Sequence, residues 1–351
     1  MTSTIAVAMS GGVDSAAAAC LLREEGAPLL GLTMRLLGAP TPDEGDAART
    51  ARALGFPHRV LDLSGPFREE VMAPFAAAYE GGTTPNPCVA CNRAIKFGAL
   101  LDEALALGCG QLATGHYARV EYHAPSGRWL LKQAVHREKD QSYVLALLTQ
   151  GQLSRTRLAL GGLTKQEARE LAAAHGLDCA RKGDSQNICF VPDGDHAAFL
   201  SRFTGRDYPP GPFLDGEGKV LGEHRGLVRY TVGQRRGLGV SGGARLYVKE
   251  LRPADNAVVL GDDASLYGRT LEAAGLNLIP CGRLEGPVRL SAKVRYRMAA
   301  QPCTAWQTGP DSLRVEFDRP QRAITPGQTV VLYDGDTVVG GATIIKGEQE
   351  P

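Results

Sequence analysis

The chain has 351 residues, 43% of them hydrophobic, and its 39 Lys and Arg against 38 Asp and Glu leave a net charge of +1. That length and apolar content support a sizeable buried core and predict two or three domains, at about 100–200 residues each. No apolar run approaches the roughly 18 residues needed to cross a bilayer, and Met1–Met9 lacks the basic segment and cleavage pattern of a secretory signal, so a soluble, cytoplasmic protein without a membrane partner is expected.

Thr4–Met9 reads as a buried strand and Asp14–Glu25 as an Ala-rich helix stopped by Gly26. Between them lies Ser10-Gly11-Gly12-Val13-Asp14-Ser15. A Gly-rich strand-to-helix turn exposes backbone N–H groups where the helix adds positive potential, which suits a phosphate. The plain alternative is a tight turn with Asp14 or Ser15 as N-cap. The loop is not a Walker A sequence, because no Lys follows its glycines. Leu29–Leu36 and Arg59–Leu63 read as further strands, Asp43–Leu54 as a helix, and Gln111–Thr114 as a later strand. Strands alternating with helices predict a parallel sheet with crossovers.

Eight cysteines occur: Cys20, Cys88, Cys91, Cys109, Cys179, Cys189, Cys281 and Cys303. A chain this large needs no disulfide staples, so in a reducing cytosol its cysteines are buried, metal-binding or catalytic. Cys88 and Cys91 stand apart in Thr84-Pro85-Asn86-Pro87-Cys88-Val89-Ala90-Cys91-Asn92-Arg93-Ala94-Ile95-Lys96-Phe97. The prolines hold an extended loop, and a helix is expected just after Cys91. A thiol near a helix N-terminus, with Arg93 and Lys96 nearby, is expected to have a lowered pKa. Cys189 lies in a third motif, Asp184-Ser185-Gln186-Asn187-Ile188-Cys189-Phe190-Val191, and the other five cysteines read as buried apolar side chains. Thr164-Lys165-Gln166-Glu167 is a capping box that should open a helix running to about His175.

After about Ser201, glycine and proline become frequent and short Val/Leu/Tyr-rich runs replace the helical pattern. Arg245–Leu251, Ala257–Leu260, Val288–Val294, Ser312–Phe317 and Thr329–Tyr333 are such runs, with turn signals at Asp215-Gly216 and Asp334-Gly335. Tyr267–Thr270 is the expected junction between two small β domains. From Arg225 to Gln301, thirteen Lys and Arg face six Asp and Glu, a local excess of +7. That excess is either a polyanion footprint or a solvated basic face.

The phosphate loop resembles that of the PP-loop ATP pyrophosphatases, which cleave ATP between its α and β phosphates and activate an oxygen as an adenylate. The chain as a whole resembles the tRNA-specific 2-thiouridylases (MnmA/TrmU). The resemblance is carried by Ala8–Ser15, Asn86–Phe97, Ala113–Tyr117, Lys139–Tyr143, Ser185–Phe190, Tyr230–Gly239, Val294–Arg297 and Pro326–Gln328. It implies a PP-loop, adenine-nucleotide-hydrolase-like α/β domain at 1–200, a small central β domain at 201–268 and a tRNA-binding β-barrel at 269–351.

It further implies thiolation of the wobble uridine of tRNA through an ATP-adenylated base. Cys189 would carry a persulfide and Cys91 would be the nucleophile, able to form a disulfide with Cys189. ATP, with Mg2+, would contact Ala8, Met9, Ser10, Gly11, Gly12, Val13, Asp14, Ser15, Met34 and Gly115, although Met34 by itself reads as a core strand residue. Asn86, Pro87 and Cys88 would face the base. His116, Lys139, Asp140, Gln141, Arg295, Tyr296 and Gln328 would touch tRNA, mostly at its backbone. Sulfur would come from a relay protein or a cysteine desulfurase.

At Cys88 the chain departs from the family's usual Asp-x-x-Cys. Cys88, Cys91 and Cys189 together could instead ligate a [4Fe–4S] cluster with one open iron. Zinc fits less well, since no His follows at ligand spacing. Two readings from other classes stay open: another PP-loop adenylating enzyme, and a tRNA-binding module with a structural metal.

Overall fold

The computed structural model describes residues 3–181, 188–240 and 245–349. The first half forms strands β1 (Ile5–Ala8), β2 (Leu29–Arg35), β3 (His58–Asp62), β4 (Gln111–Thr114), β5 (Ala118–His123), β6 (Arg128–Gln133) and β7 (Thr156–Leu158). Five of these form a parallel sheet in the order β3-β2-β1-β4-β7. Its inner strands are apolar because helices cover them, and Val7, Leu32 and Leu112 are fully buried. Helix Val13–Glu24 buries Ala16 through Cys20 and Leu22, where small side chains permit close packing. Helix Pro42–Leu54 starts at a Thr41/Glu44 capping box and ends at a left-handed Gly55. The predicted box at Thr164 also forms, and helix Lys165–Ala174 follows it.

The second half forms β8 (Gly211–Leu214), β9 (Val220–His224), β10 (Tyr247–Arg252), β11 (Ala257–Gly261), β12 (Tyr267–Leu278), β13 (Val288–Lys293), β14 (Gln301–Gly309), β15 (Ser312–Arg322), β16 (Thr329–Asp334) and β17 (Thr337–Gln349). A small sheet runs β10-β11-β8-β9. The order β12-β15-β14-β13-β16-β17 closes into a six-stranded barrel through a β12–β17 pairing. Along β15, Leu313, Val315 and Phe317 point into the barrel core, while the intervening Arg314 and Glu316 do not. That alternation is what one buried face requires.

Tyr267–Thr270 forms the start of β12, paired with β15 from Tyr267↔Arg322 onward, with a register shift between Gly268 and Thr270. In addition, the hairpin β5–β6 sits inside the α/β half yet extends the barrel, where Thr337 of β17 pairs with Lys132 of β6. Arg119 in β5 bonds Asp336 at 2.5 Å, tying the two halves together.

Candidate active site

The order of the parallel sheet determines where a ligand can enter. The chain leaves β1 toward β2 on one side and later returns to β4 on the other, so the ends of β1 and β4 frame a switch-point crevice. Ser10–Ser15 follows β1, and Gly115 follows β4. Gly11 has φ +69°, and a Cβ there would stand 2.7 Å from the carbonyl oxygen of Asp43, so only glycine fits. Gly115 presses equally close: its Cβ would stand 2.6 Å from the Asp14 carbonyl carbon.

The helix cap is Gly12, not Asp14 or Ser15, and no side chain among the described residues caps it. Ser15 Oγ instead accepts the Ser10 N–H at 3.2 Å and donates to the Gly12 carbonyl at 3.1 Å, which folds the loop back on itself. The first turn of the helix is thereby left uncapped for an anion. Of the other predicted nucleotide residues, Met9 is buried, and Ala8 and Met34 pack partly buried against the core. Asp14 accepts the Tyr117 hydroxyl at 2.7 Å and the Lys165 ammonium at 2.7 and 2.8 Å.

The thiol segment differs from expectation. Its helix begins at Pro87, capped by the Asn86 side chain, which accepts the Cys88 N–H at 3.1 Å. Proline at the first helical position and asparagine before it are the signals that place the start there. From Cys91 to Ala99 the helix is π-type. Cys91 is therefore inside a helical run, only 9% exposed, and burial pushes its thiol up to about 11. Lys96 pulls it down in part, while Cys189 and Cys88 push it further up. This overturns the expected lowered pKa. Cys88 and Cys189 are exposed residues, yet loss of hydration around their sulfurs raises them too, and Lys96 opposes both shifts. Of the third motif, Asp184, Ser185, Gln186 and Asn187 lie outside the described residues.

The three thiols thus stand within electrostatic range of Lys96. Among the described residues, however, no three Cys, His, Asp or Glu side chains are grouped to hold one metal ion.

His116 is buried beside the Phe97 ring and bonds Thr114 Oγ1 through Nδ1 at 2.7 Å; burial and Lys96 keep it neutral. Asp140 is buried and accepts Gln133 Nε2, the Ala134 and Ser142 N–H groups and the Ser142 hydroxyl. Gln141 Oε1 accepts the Tyr117 N–H at 3.0 Å. Arg295 donates to the carbonyls of Val232 and Ala323 and to Thr325 Oγ1. Gln328 donates to the Thr84 carbonyl at 2.6 Å, just ahead of the thiol helix. Lys139 and Tyr296 are exposed, and Tyr296 packs against Tyr143 with ring centroids 5.8 Å apart. The sequence placed Lys96 beside the thiols but did not assign Lys165, Tyr117 or Thr84 to the site. Of these three, Lys165 carried a usable signal, its place at the start of a capped helix.

Sequence comparison agrees with this architecture. The tRNA methyl transferase HUP domain family matches residues 3–193. The tRNA methyl transferase PRC-barrel domain family matches 197–262, and the aminomethyltransferase β-barrel domain family matches 270–344. A tRNA-specific 2-thiouridylase MnmA of Heliobacterium modesticaldum is 49% identical, covering 99% of this chain and 93% of that protein. One from Moorella thermoacetica is 49% identical over 96% of this chain and 98% of its own length. A third, from Pelotomaculum thermopropionicum, is 46% identical over 97% of this chain and 96% of its own. With likeness at that level along both chains, the chain belongs to the tRNA-specific 2-thiouridylase family.

Proposed function

We propose that this protein thiolates the wobble uridine of tRNA at its ring oxygen 2, using ATP to make that oxygen a leaving group. Uridine oxygen would attack the α phosphate and release pyrophosphate. The terminal sulfur of a Cys189 persulfide would then attack carbon 2 and displace AMP. The Cys91 thiolate would next attack the Cys189 sulfur, releasing 2-thiouridine and leaving a Cys91–Cys189 disulfide. An external thiol reductant must open that disulfide, and a relay protein or cysteine desulfurase must restore the persulfide. Mg2+ would arrive with the polyphosphate, since Asp14, the loop's carboxylate, is engaged by Lys165 and Tyr117. No step is routed through an iron–sulfur cluster.

The observation that carries this reading is the position of Lys96. It lies in electrostatic range of Cys88, Cys91, Cys189 and His116. His116 follows Gly115, which abuts the phosphate loop. Adenylation and sulfur transfer therefore have their groups on adjoining ground. Asn86, Pro87 and Cys88 would meet the base, and the exposed Lys139 and Tyr296 would meet the tRNA. His116, Asp140, Gln141, Arg295 and Gln328 would support it from beneath. We take 1–200, 201–268 and 269–351 as the working units and the cytoplasm as the compartment. Among the described residues, no helix is long and apolar enough to cross a membrane.

The two half-reactions separate in one experiment. Cys189→Ala should still release pyrophosphate in a tRNA-dependent manner while forming no 2-thiouridine by nucleoside mass spectrometry. Undiminished 2-thiouridine from Cys189→Ala would end the scheme.

A further inference from the structure

The phosphate loop has no lysine of its own, and the fold brings one to it. Lys165 lies 151 positions beyond Asp14, at the start of helix Lys165–Ala174. Its Nζ sits 2.7 and 2.8 Å from the two Asp14 carboxylate oxygens, and the Tyr117 hydroxyl donates to the first of them at 2.7 Å. The Lys165 side chain is 11% exposed, whereas that of Asp14 is 36% exposed. A largely buried ammonium is thus fixed in place beside the uncapped helix start.

A carboxylate in the first turn suits the helix dipole but opposes an incoming polyphosphate. Pairing with Lys165 offsets that charge and keeps an ammonium beside the loop, as phosphate-binding loops of the Walker type do with theirs. A purely structural role explains the pair less well. The two helices already meet through small apolar groups, among them Ala17, Ala18 and Ala168. Burying an ion pair is weak evidence for stability, since desolvation offsets the attraction. The site has a cation whose cost packing alone does not justify.

We propose that Lys165 is the phosphate-binding cation of the nucleotide site, held at the loop by Asp14 and Tyr117. The inference rests on reading Ser10–Ser15 as an ATP loop. Its test compares ATP and adenosine affinities of the full chain for wild type, Lys165→Met and Lys165→Arg. Lys165→Met should weaken ATP about tenfold or more, the scale of a lost charge-assisted hydrogen bond, and leave adenosine within about twofold. Lys165→Arg should recover part of the loss, because the charge stays while its geometry changes. Lys165→Gln, which can still donate to Asp14 without the charge, carries the comparison should the Met variant not fold. ATP binding unchanged in the neutral variants overturns the proposal, and so does a parallel loss of ATP and adenosine, which would mark a structural role. A wild-type chain that binds no ATP brings down the loop reading itself, an outcome distinct from either of those.

Discussion

Cys91 occupies the fifth position of the helical run that opens at Pro87, well past the N-terminal turn where a thiolate is stabilised. Burial favours the uncharged thiol, so its folded pKa rises above the ordinary value and the thiolate is scarce near neutral pH. Reactivity should therefore climb with pH through a midpoint near pH 11, where a free cysteine would already be saturated. Iodoacetamide labelling of Cys91, followed by peptide mass spectrometry across pH, measures this directly. Lys96→Met should move the curve further up, because Lys96 is what lowers the Cys91 pKa. Saturation near pH 8 in the wild-type chain would contradict the burial argument.

The thiol helix hangs from the barrel by a short contact. Thr84 N–H donates to the Pro326 carbonyl at 2.9 Å, and Gln328 Nε2 returns to the Thr84 carbonyl at 2.6 Å. Gly327, between them, has φ +89°, and a Cβ there would stand 2.9 Å from Thr84 N. Losing the Gln328 bond should cost about 0.5–1.5 kcal/mol of loop positioning, or roughly two- to tenfold in kcat. Gln328→Leu should show that drop with tRNA affinity within about twofold. A loss confined to affinity would instead make Gln328 a direct tRNA contact. Such cross-chain bonds are what the sequence hides. β1, β2 and the box at Thr164 are legible because the residues that make them are neighbours. The β5–β6 hairpin is not, since its barrel partner Thr337 lies some two hundred residues on, and neither is the Asp14–Lys165 pair. The Gly-rich strand-to-helix turn after β1 was legible from its motif. The pKa of Cys91 was not, because burial is set by packing rather than by the four residues around it.

On the scale of the whole molecule, the +7 excess between Arg225 and Gln301 divides into two kinds of residue. Some charges are spent within the protein: Arg289 grips Asp318 at 2.7 and 2.8 Å, and Arg252 pairs with Glu250 at 3.0 Å. Arg295 joins the central segment at Val232 to the barrel at Ala323 and Thr325, and its Nε is buried without a partner among the described residues. Arg235, Arg236 and Arg297, by contrast, are exposed. A tRNA phosphate contact reveals itself by counterion release, so each one lost lowers the slope of log affinity against log salt by about one unit. Arg236→Ala and Arg297→Ala should each flatten that slope and leave the melting temperature unchanged. Arg295→Ala should do the reverse. It removes buried hydrogen bonds worth about 1–3 kcal/mol in all, lowering the melting temperature, and keeps the slope. Binding of unmodified tRNA across a salt series, with a thermal melt of each variant, distinguishes the two kinds. If Arg295→Ala flattens the slope and the exposed pair does not, tRNA is gripped at the seam between the central segment and the barrel rather than on the outer basic face.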